Sequence, residues 1–156
     1  LNSETVGEFA SNHNIQQVWS DPLELVEAHD HWDGVVISAA VNPTLGLLKA
    51  AMVSGKPILV EKPVGLTSAK LDAYKDYAPS NVIVAYNRRH YSTVKLARNF
   101  VAERKIVRAT MTLPENVSSE MDDPYSRIHE HSVHGLDMLN YIFQRYYIIF
   151  CIYLEI

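Results

Sequence analysis

At 156 residues, 47% of them apolar and 21% charged, the chain is long and hydrophobic enough to bury a core. A formal charge of −4 and a pI near 6.0 leave no basic stripe for nucleic acid. The single cysteine, Cys151, excludes an internal disulfide, and the aromatic run around it falls short of the roughly 20 residues a membrane span needs.

The first residues, Leu1-Asn2-Ser3-Glu4, have neither a basic n-region nor an apolar h-region, and a cytoplasmic setting is expected. Val6, Phe9 and Ala10 recur at helical spacing over Thr5 to Asn12. A short extended piece is expected from Ile15 to Trp19. Asp21-Pro22 then opens a helix, with Asp as N-cap and Pro at the first helical position. Asp30 to Gly34 reads as a polar turn around Trp32.

The stretch from Asp33 to Leu66 carries the organisation. Val35-Val36-Ile37-Ser38 is a short apolar run, followed by a turn on Asn42-Pro43 and a helix to Ser54. Gly55-Lys56-Pro57 stops that helix, and Ile58-Leu59-Val60 forms a second apolar run that ends in Glu61-Lys62-Pro63. Run, crossover helix and run predict a βαβ unit of a parallel sheet. Ligands bind at the carboxyl ends of such strands, so Lys62 is the first candidate for chemistry. Its pKa falls readily on desolvation, and Pro63 biases its backbone towards extended.

Thr67-Ser68 predicts a cap for a helix through Ala69, Leu71, Tyr74 and Tyr77, ended by Pro79. Val82 to Ala85 reads as a buried strand that runs into Tyr86-Asn87-Arg88-Arg89-His90-Tyr91. The arginine fork and the Asn amide suit carbonyls and vicinal hydroxyls. Ser92 to Glu103 predicts an amphipathic packing helix, with Val94, Ala97, Phe100 and Val101 inward and Leu96 at the edge. Ile106 to Leu113 alternates like a half-buried strand, and Pro114 to Tyr125 reads as a polar loop.

In Ile128 to Asp137, a helix would bring Glu130, His134 and Asp137 onto one face at i, i+4 and i+7. A histidine titrating near neutrality suits proton removal from a hydroxyl. A metal reading of His131, His134 and Asp137 lacks a second ligand pair, and no metal is expected. After Phe143 the run Tyr146 to Leu154 is aromatic and β-branched, and as an exposed strand it would be an aggregation hazard.

Three stretches together, Glu61-Lys62-Pro63 after a strand, Asn87-Arg88-Arg89 after the next, and His134-x-x-Asp137 opening a helix, resemble the Gfo/Idh/MocA oxidoreductases. These are nicotinamide-dependent enzymes named for glucose–fructose oxidoreductase and inositol dehydrogenase. The resemblance spans about Thr5 to Phe143. It implies an α/β fold, a partial Rossmann-type parallel sheet lacking its first βαβ strands and followed by the start of an α+β substrate domain. The Rossmann part would cover residues 1–91, the substrate part 92–143, and residues 144–156 would be an aberrant or truncated tail. Family members open with a G-x-G-x-x-G turn that grips the pyrophosphate at a helix N-terminus. This sequence has six glycines and none in that pattern, so it is expected to be truncated at its N-terminus and inactive by itself.

The same resemblance implies NAD or NADP as cofactor and a sugar or polyol as substrate. It makes Lys62 and His134 the acid–base pair, with Glu130 orienting the histidine. Asn87, Arg88 and Asp137 would contact substrate, while Ala39, Asn42, Glu61 and Lys62 would face the cofactor. Where the family has Thr-Pro and a helix-start histidine, this chain has Ala39-Ala40 and Thr44. No nucleic acid or membrane partner is expected, and the full-length protein is expected to be a homo-oligomer. The alternative is a non-catalytic sugar- or ligand-binding module of the same fold, favoured by the missing glycine turn and disfavoured by Lys62 and His134.

Overall fold

In the computed structural model, the described residues are 3–72, 80–112 and 132–144. The predicted helical positions Tyr74 and Tyr77, the loop Pro114 to Tyr125, Glu130 with its neighbours His129 and His131, and the tail from Arg145 onwards lie outside them. The chain divides into two units, one of residues 1–60 with 77–83, the other of residues 61–76 with 84–156. No helix among the described residues is long and apolar enough to cross a membrane.

In the first unit, helix α1 (Ser3–Asn12) precedes α2 (Pro22–Glu27), whose start follows the predicted cap. The Asp21 side chain accepts a hydrogen bond from the Leu23 amide at 2.7 Å, satisfying a donor that the first helical turn leaves without a partner. The polar turn after it is tightened into a 3-10 turn, His29–His31. Strand β1 (Val35–Ile37) leads to helix α3 (Val41–Met52), then strand β2 (Ile58–Val60). Asn42-Pro43 is not a separate turn, as expected, but lies within the first turn of α3. A proline there sacrifices no hydrogen bond, because first-turn amides have no intrahelical acceptor.

Helix α3 buries Thr44, Leu47, Leu48 and Ala51, the i, i+3, i+4, i+7 stripe that faces β1 and β2. It ends where Gly55 takes a φ of +68°, a left-handed conformation open to glycine at little cost. Strands β1 and β2 pair in parallel, with Val35 opposite Ile58, Val36 opposite Leu59 and Ile37 opposite Val60. Strand β3 (Val82–Val84) completes a three-stranded sheet in the order β1-β2-β3. Ile37, Ile58 and Val60 are buried on one face, whereas Val36, Leu59 and Ile83, the middle residues of the three strands, are exposed.

A side-chain clip closes this unit. The Lys56 ammonium donates to the carbonyls of His29 at 2.8 Å and Trp32 at 2.7 Å and lies 5.5 Å from the Trp32 ring. The Asn81 amide donates to the Lys56 carbonyl at 2.5 Å, and the Ile58 amide to the Asn81 carbonyl at 2.9 Å. A β-carbon on Gly34 would stand 3.3 Å from the Pro57 carbonyl oxygen, so the turn into β1 runs close against the start of β2.

The second unit contains α4 (Ser68–Asp72), a 3-10 turn (Asn87–His90), α5 (Ser92–Ala102) and α6 (Val133–Ile142). The Thr67 hydroxyl accepts from the Lys70 amide at 3.4 Å, the predicted cap. Helix α5 packs on α6 and on the 3-10 turn, with Val94 and Val101 buried. Phe100, expected inward, is 54% exposed. Six residues at 3.6 per turn carry it about 120° round the helix from Val94, and Arg104 stacks over its ring at 3.6 Å instead. The expected strand from Ile106 is also corrected. Residues 105–112 contain no strand, and Val107 is 91% exposed. Alternation alone makes no strand without a neighbour to complete its ladder.

Candidate functional site

The chemistry-bearing residues of the second unit gather where the 3-10 turn meets α6. Arg89 of the turn grips Asp137 of α6 with a two-pronged fork. Its Nε donates to Oδ2 at 2.6 Å, and its Nη2 donates to Oδ1. Asp137 is 8% exposed, so its charge is satisfied almost wholly by this planar guanidinium. The Arg89 guanidinium also lies 5.3 Å from the Tyr86 ring and 5.6 Å from the Tyr141 ring, with Arg98 over the latter at 4.3 Å. The fork raises the Arg89 pKa further, chiefly through its hydrogen bonds to Asp137.

His134 lies one turn before Asp137 on the same helix. The Tyr86 and His134 rings meet edge to face, with centroids 6.2 Å apart and planes at 85°. The His134 Nδ1 is buried and has no hydrogen-bond partner among the described residues. Buried polar atoms are ordinarily satisfied, so an unpartnered ring nitrogen is the feature of this site that calls for an explanation. Burial pulls the His134 pKa below its ordinary value, and the nearby cations Lys62 and Arg88 lower it further, against opposing pulls from Glu61 and Asp137. The neutral imidazole is therefore favoured at neutral pH, ready to accept a proton. Tyr86 moves the other way. Burial, then the Asp137 charge, raises its pKa, so its hydroxyl stays protonated.

The structure thus brings Lys62, Glu61 and Arg88 into the electrostatic surroundings of His134. Lys62 is half-buried, and its peptide bond to Pro63 is cis. The Glu61 carboxylate accepts from the Lys62 amide at 3.3 Å, bracing the loop after β2. Asn87 is exposed and Arg88 half-buried on the turn that bears Arg89. Arg88 lines an open cavity of about 540 Å³ with Val94, Ala97, Met111, Met138 and Ile142, among others. His134 is not one of the residues that line this mostly apolar space.

Ala39 and Asn42 belong to the first unit. Both are exposed, around the start of α3, whose N-cap residue Ala40 makes no side-chain cap bond. The buried Thr44 hydroxyl turns back instead to donate to the Ala40 carbonyl at 2.9 Å. The first-turn amides of this twelve-residue helix therefore have no side-chain cap from Ala40. Glu130 lies outside the described residues. Tyr86, Tyr141 and the Arg89–Asp137 fork were not legible as site features. The repeated arginine of Asn87-Arg88-Arg89 was the available signal, but its partner is 48 residues away.

No family model matches the sequence. The inositol 2-dehydrogenase/D-chiro-inositol 3-dehydrogenase of Halalkalibacterium halodurans is 27% identical over 152 residues, spanning 91% of this chain and 43% of that protein. The chain therefore spans less than half the length of this curated relative. Among solved structures, myo-inositol dehydrogenase from Lactobacillus casei in complex with NAD(H) and myo-inositol matches with a TM-score of 0.74 at 17% identity, over 92% of this chain and 44% of that one. A levoglucosan dehydrogenase in complex with NADH and levoglucosan matches at 0.69 with 23% identity, over 90% and 42%. A probable dehydrogenase from Thermotoga maritima matches at 0.69 with 20% identity, over 92% and 45%. With its three-stranded α/β sheet, the chain has part of the Rossmann-type fold of these dehydrogenases, and it resembles the Gfo/Idh/MocA oxidoreductases in sequence and in structure.

Proposed function

We propose that this chain carries the acid–base and substrate-side residues of an NAD- or NADP-dependent oxidoreductase acting on a sugar or polyol. The observation that carries the reading is the His134 imidazole, with its buried Nδ1 unpartnered among the described residues and its neutral form favoured by burial and by Lys62 and Arg88. His134 takes the proton of the substrate hydroxyl as the carbon is oxidised, and returns it in reduction. Lys62 donates a hydrogen bond towards the same substrate oxygen, and its positive charge favours the alkoxide character that develops there. Asn87 and Arg88 bind further hydroxyls on the substrate side. Ala39 and Asn42 at the start of α3 and, in the other unit, Glu61 and Lys62 are the candidates for cofactor contact. When bound, the nicotinamide supplies the hydride acceptor or donor.

Support for the substrate class comes from the inositol dehydrogenase relative and from solved neighbours named for myo-inositol and levoglucosan. Titrating the chain with myo-inositol and levoglucosan, while following the His134 ring signals by NMR, tests the reading. Saturable shifts of the ring, weakened by Lys62→Ala, are expected. Ring signals that stay unmoved across both titrations overturn it.

The second reading is a non-catalytic sugar- or ligand-binding module of the same fold. Saturable polyol binding that survives both Lys62→Ala and His134→Ala would establish that reading.

A further inference from the structure

We infer that Arg89 and Asp137 form a positioning device, a fork that fixes the Tyr86 ring against His134, and that Asp137 acts through this fork rather than by contacting substrate. The inference rests on the reading of His134 as the acid–base group. Both carboxylate oxygens of Asp137 already accept hydrogen bonds from Arg89, and the residue is 8% exposed. The fork ties the turn after β3 to the middle of α6. At one end of the turn, Tyr86 lies under the guanidinium at 5.3 Å. On the helix, His134 and Tyr141 flank Asp137 at −3 and +4. The Tyr86 edge-to-face contact with His134 therefore closes a circuit of four side chains, Tyr86, Arg89, Asp137 and His134. Arg89 comes from the turn, Tyr86 from the residue just before it, and Asp137 and His134 from the helix. A bidentate guanidinium–carboxylate pair constrains angle as well as distance, which a lysine in place of Arg89 would not do.

Charge and position make opposite predictions, so the two roles separate in one experiment. The groups facing His134 are Lys62 and Arg88, which lower its pKa, and Glu61 and Asp137, which raise it, with Tyr86 against the ring. If Asp137 acted only through its charge, Asp137→Asn would push the His134 pKa further down, and Arg89→Lys would leave it unchanged. If the fork positions Tyr86, either variant loosens the ring from its buried setting, and the pKa climbs towards the ordinary value of about 6.5.

The test is an NMR pH titration of the His134 ring in the full, ligand-free chain, with the signal assigned through His134→Gln. The parent chain is compared with Arg89→Lys and Asp137→Asn, each checked for a retained cooperative thermal transition. An upward shift in both variants is the expected result. A downward shift in Asp137→Asn with no change in Arg89→Lys, or no shift in either, overturns the inference. Should a fork variant fail to fold, Tyr86→Leu, which leaves the ion pair intact, decides. Its upward shift supports the positioning role, and an unchanged pKa overturns it. No ligand is present, so a failure here is distinct from a failure of polyol binding.

Discussion

Val36 and Leu59 stand directly opposite each other in the parallel ladder of β1 and β2, and both point to the open face of the sheet. They are 67% and 40% exposed, and Ile83 at the same level of β3 is 64% exposed. Parallel sheets are normally covered on both faces. These side chains therefore add little to the core of the chain as it stands, yet form an apolar row in water. Threonine at all three positions keeps the β-branched or strand-compatible shape and adds a hydroxyl. The triple variant Val36→Thr, Leu59→Thr, Ile83→Thr is expected to alter stability by no more than about 0.5 kcal/mol per site. It should also reduce concentration-dependent light scattering. A loss of several kcal/mol in urea would mean that the row is buried in solution.

Lys56 illustrates a charged residue whose work is structural. Its ammonium holds two carbonyls, those of His29 and Trp32, and lies against the Trp32 ring. Methionine would keep the stem and remove all three interactions, leaving both part-buried carbonyls without this donor. Lys56→Met is expected to cost about 1–3 kcal/mol, the range for leaving buried polar groups unsatisfied. Urea denaturation followed by tryptophan fluorescence checks it. An unchanged midpoint would mean that water replaces the ammonium without penalty.

The βαβ unit was legible because its signals are local. Asp21-Pro22 starts a helix and Gly55 ends one through short-range geometry, and the runs at Val35 and Ile58 need only their immediate neighbours to be read. What was missed required a third dimension. Pro43 fits equally a turn or a first helical turn, and only the course of α3 decides. The alternation from Ile106 to Met111 matches a strand but finds no ladder partner among the described residues. At the site, Lys62 and His134 are legible through motif resemblance, and the structure places them within electrostatic range of each other. The Arg89–Asp137 fork joins residues 48 positions apart, and no local spacing encodes such a pairing. Which of two adjacent arginines meets Asp137 is a matter of backbone direction in the 3-10 turn.

Two glycines of the first unit should respond oppositely to alanine. Gly55 has a φ of +68° with open space around it, so alanine there meets backbone strain rather than a clash. The left-handed conformation costs an L-residue roughly 1–2 kcal/mol, and Gly55→Ala should lose about that much. Gly46 lies within α3, and an added β-carbon would meet nothing within 4 Å. Gly46→Ala should gain about 0.5–1 kcal/mol by restricting the unfolded chain and favouring the helix. Thermal melts of the two single variants compare the signs. Equal shifts would contradict the backbone assignment at Gly55.

The depressed pKa of His134 makes stability depend on pH in a definite direction. Its folded pKa lies below the unfolded value of about 6.5, because burial, Lys62 and Arg88 all oppose the imidazolium. Between the two pKa values the unfolded chain binds more protons, so unfolding gains on acidification. The contribution is fully present above about pH 6.5 and is lost as pH falls through the folded pKa. His134→Gln removes the titrating ring while keeping a polar side chain on α6. The difference in denaturation midpoint between parent and variant is therefore expected to be constant above about pH 6.5, and to move against the parent below it. Urea titrations at closely spaced pH values measure that difference. Curves that stay parallel through the whole acidic range would mean that His134 titrates alike in the folded and unfolded chain, and so is not held neutral by its site.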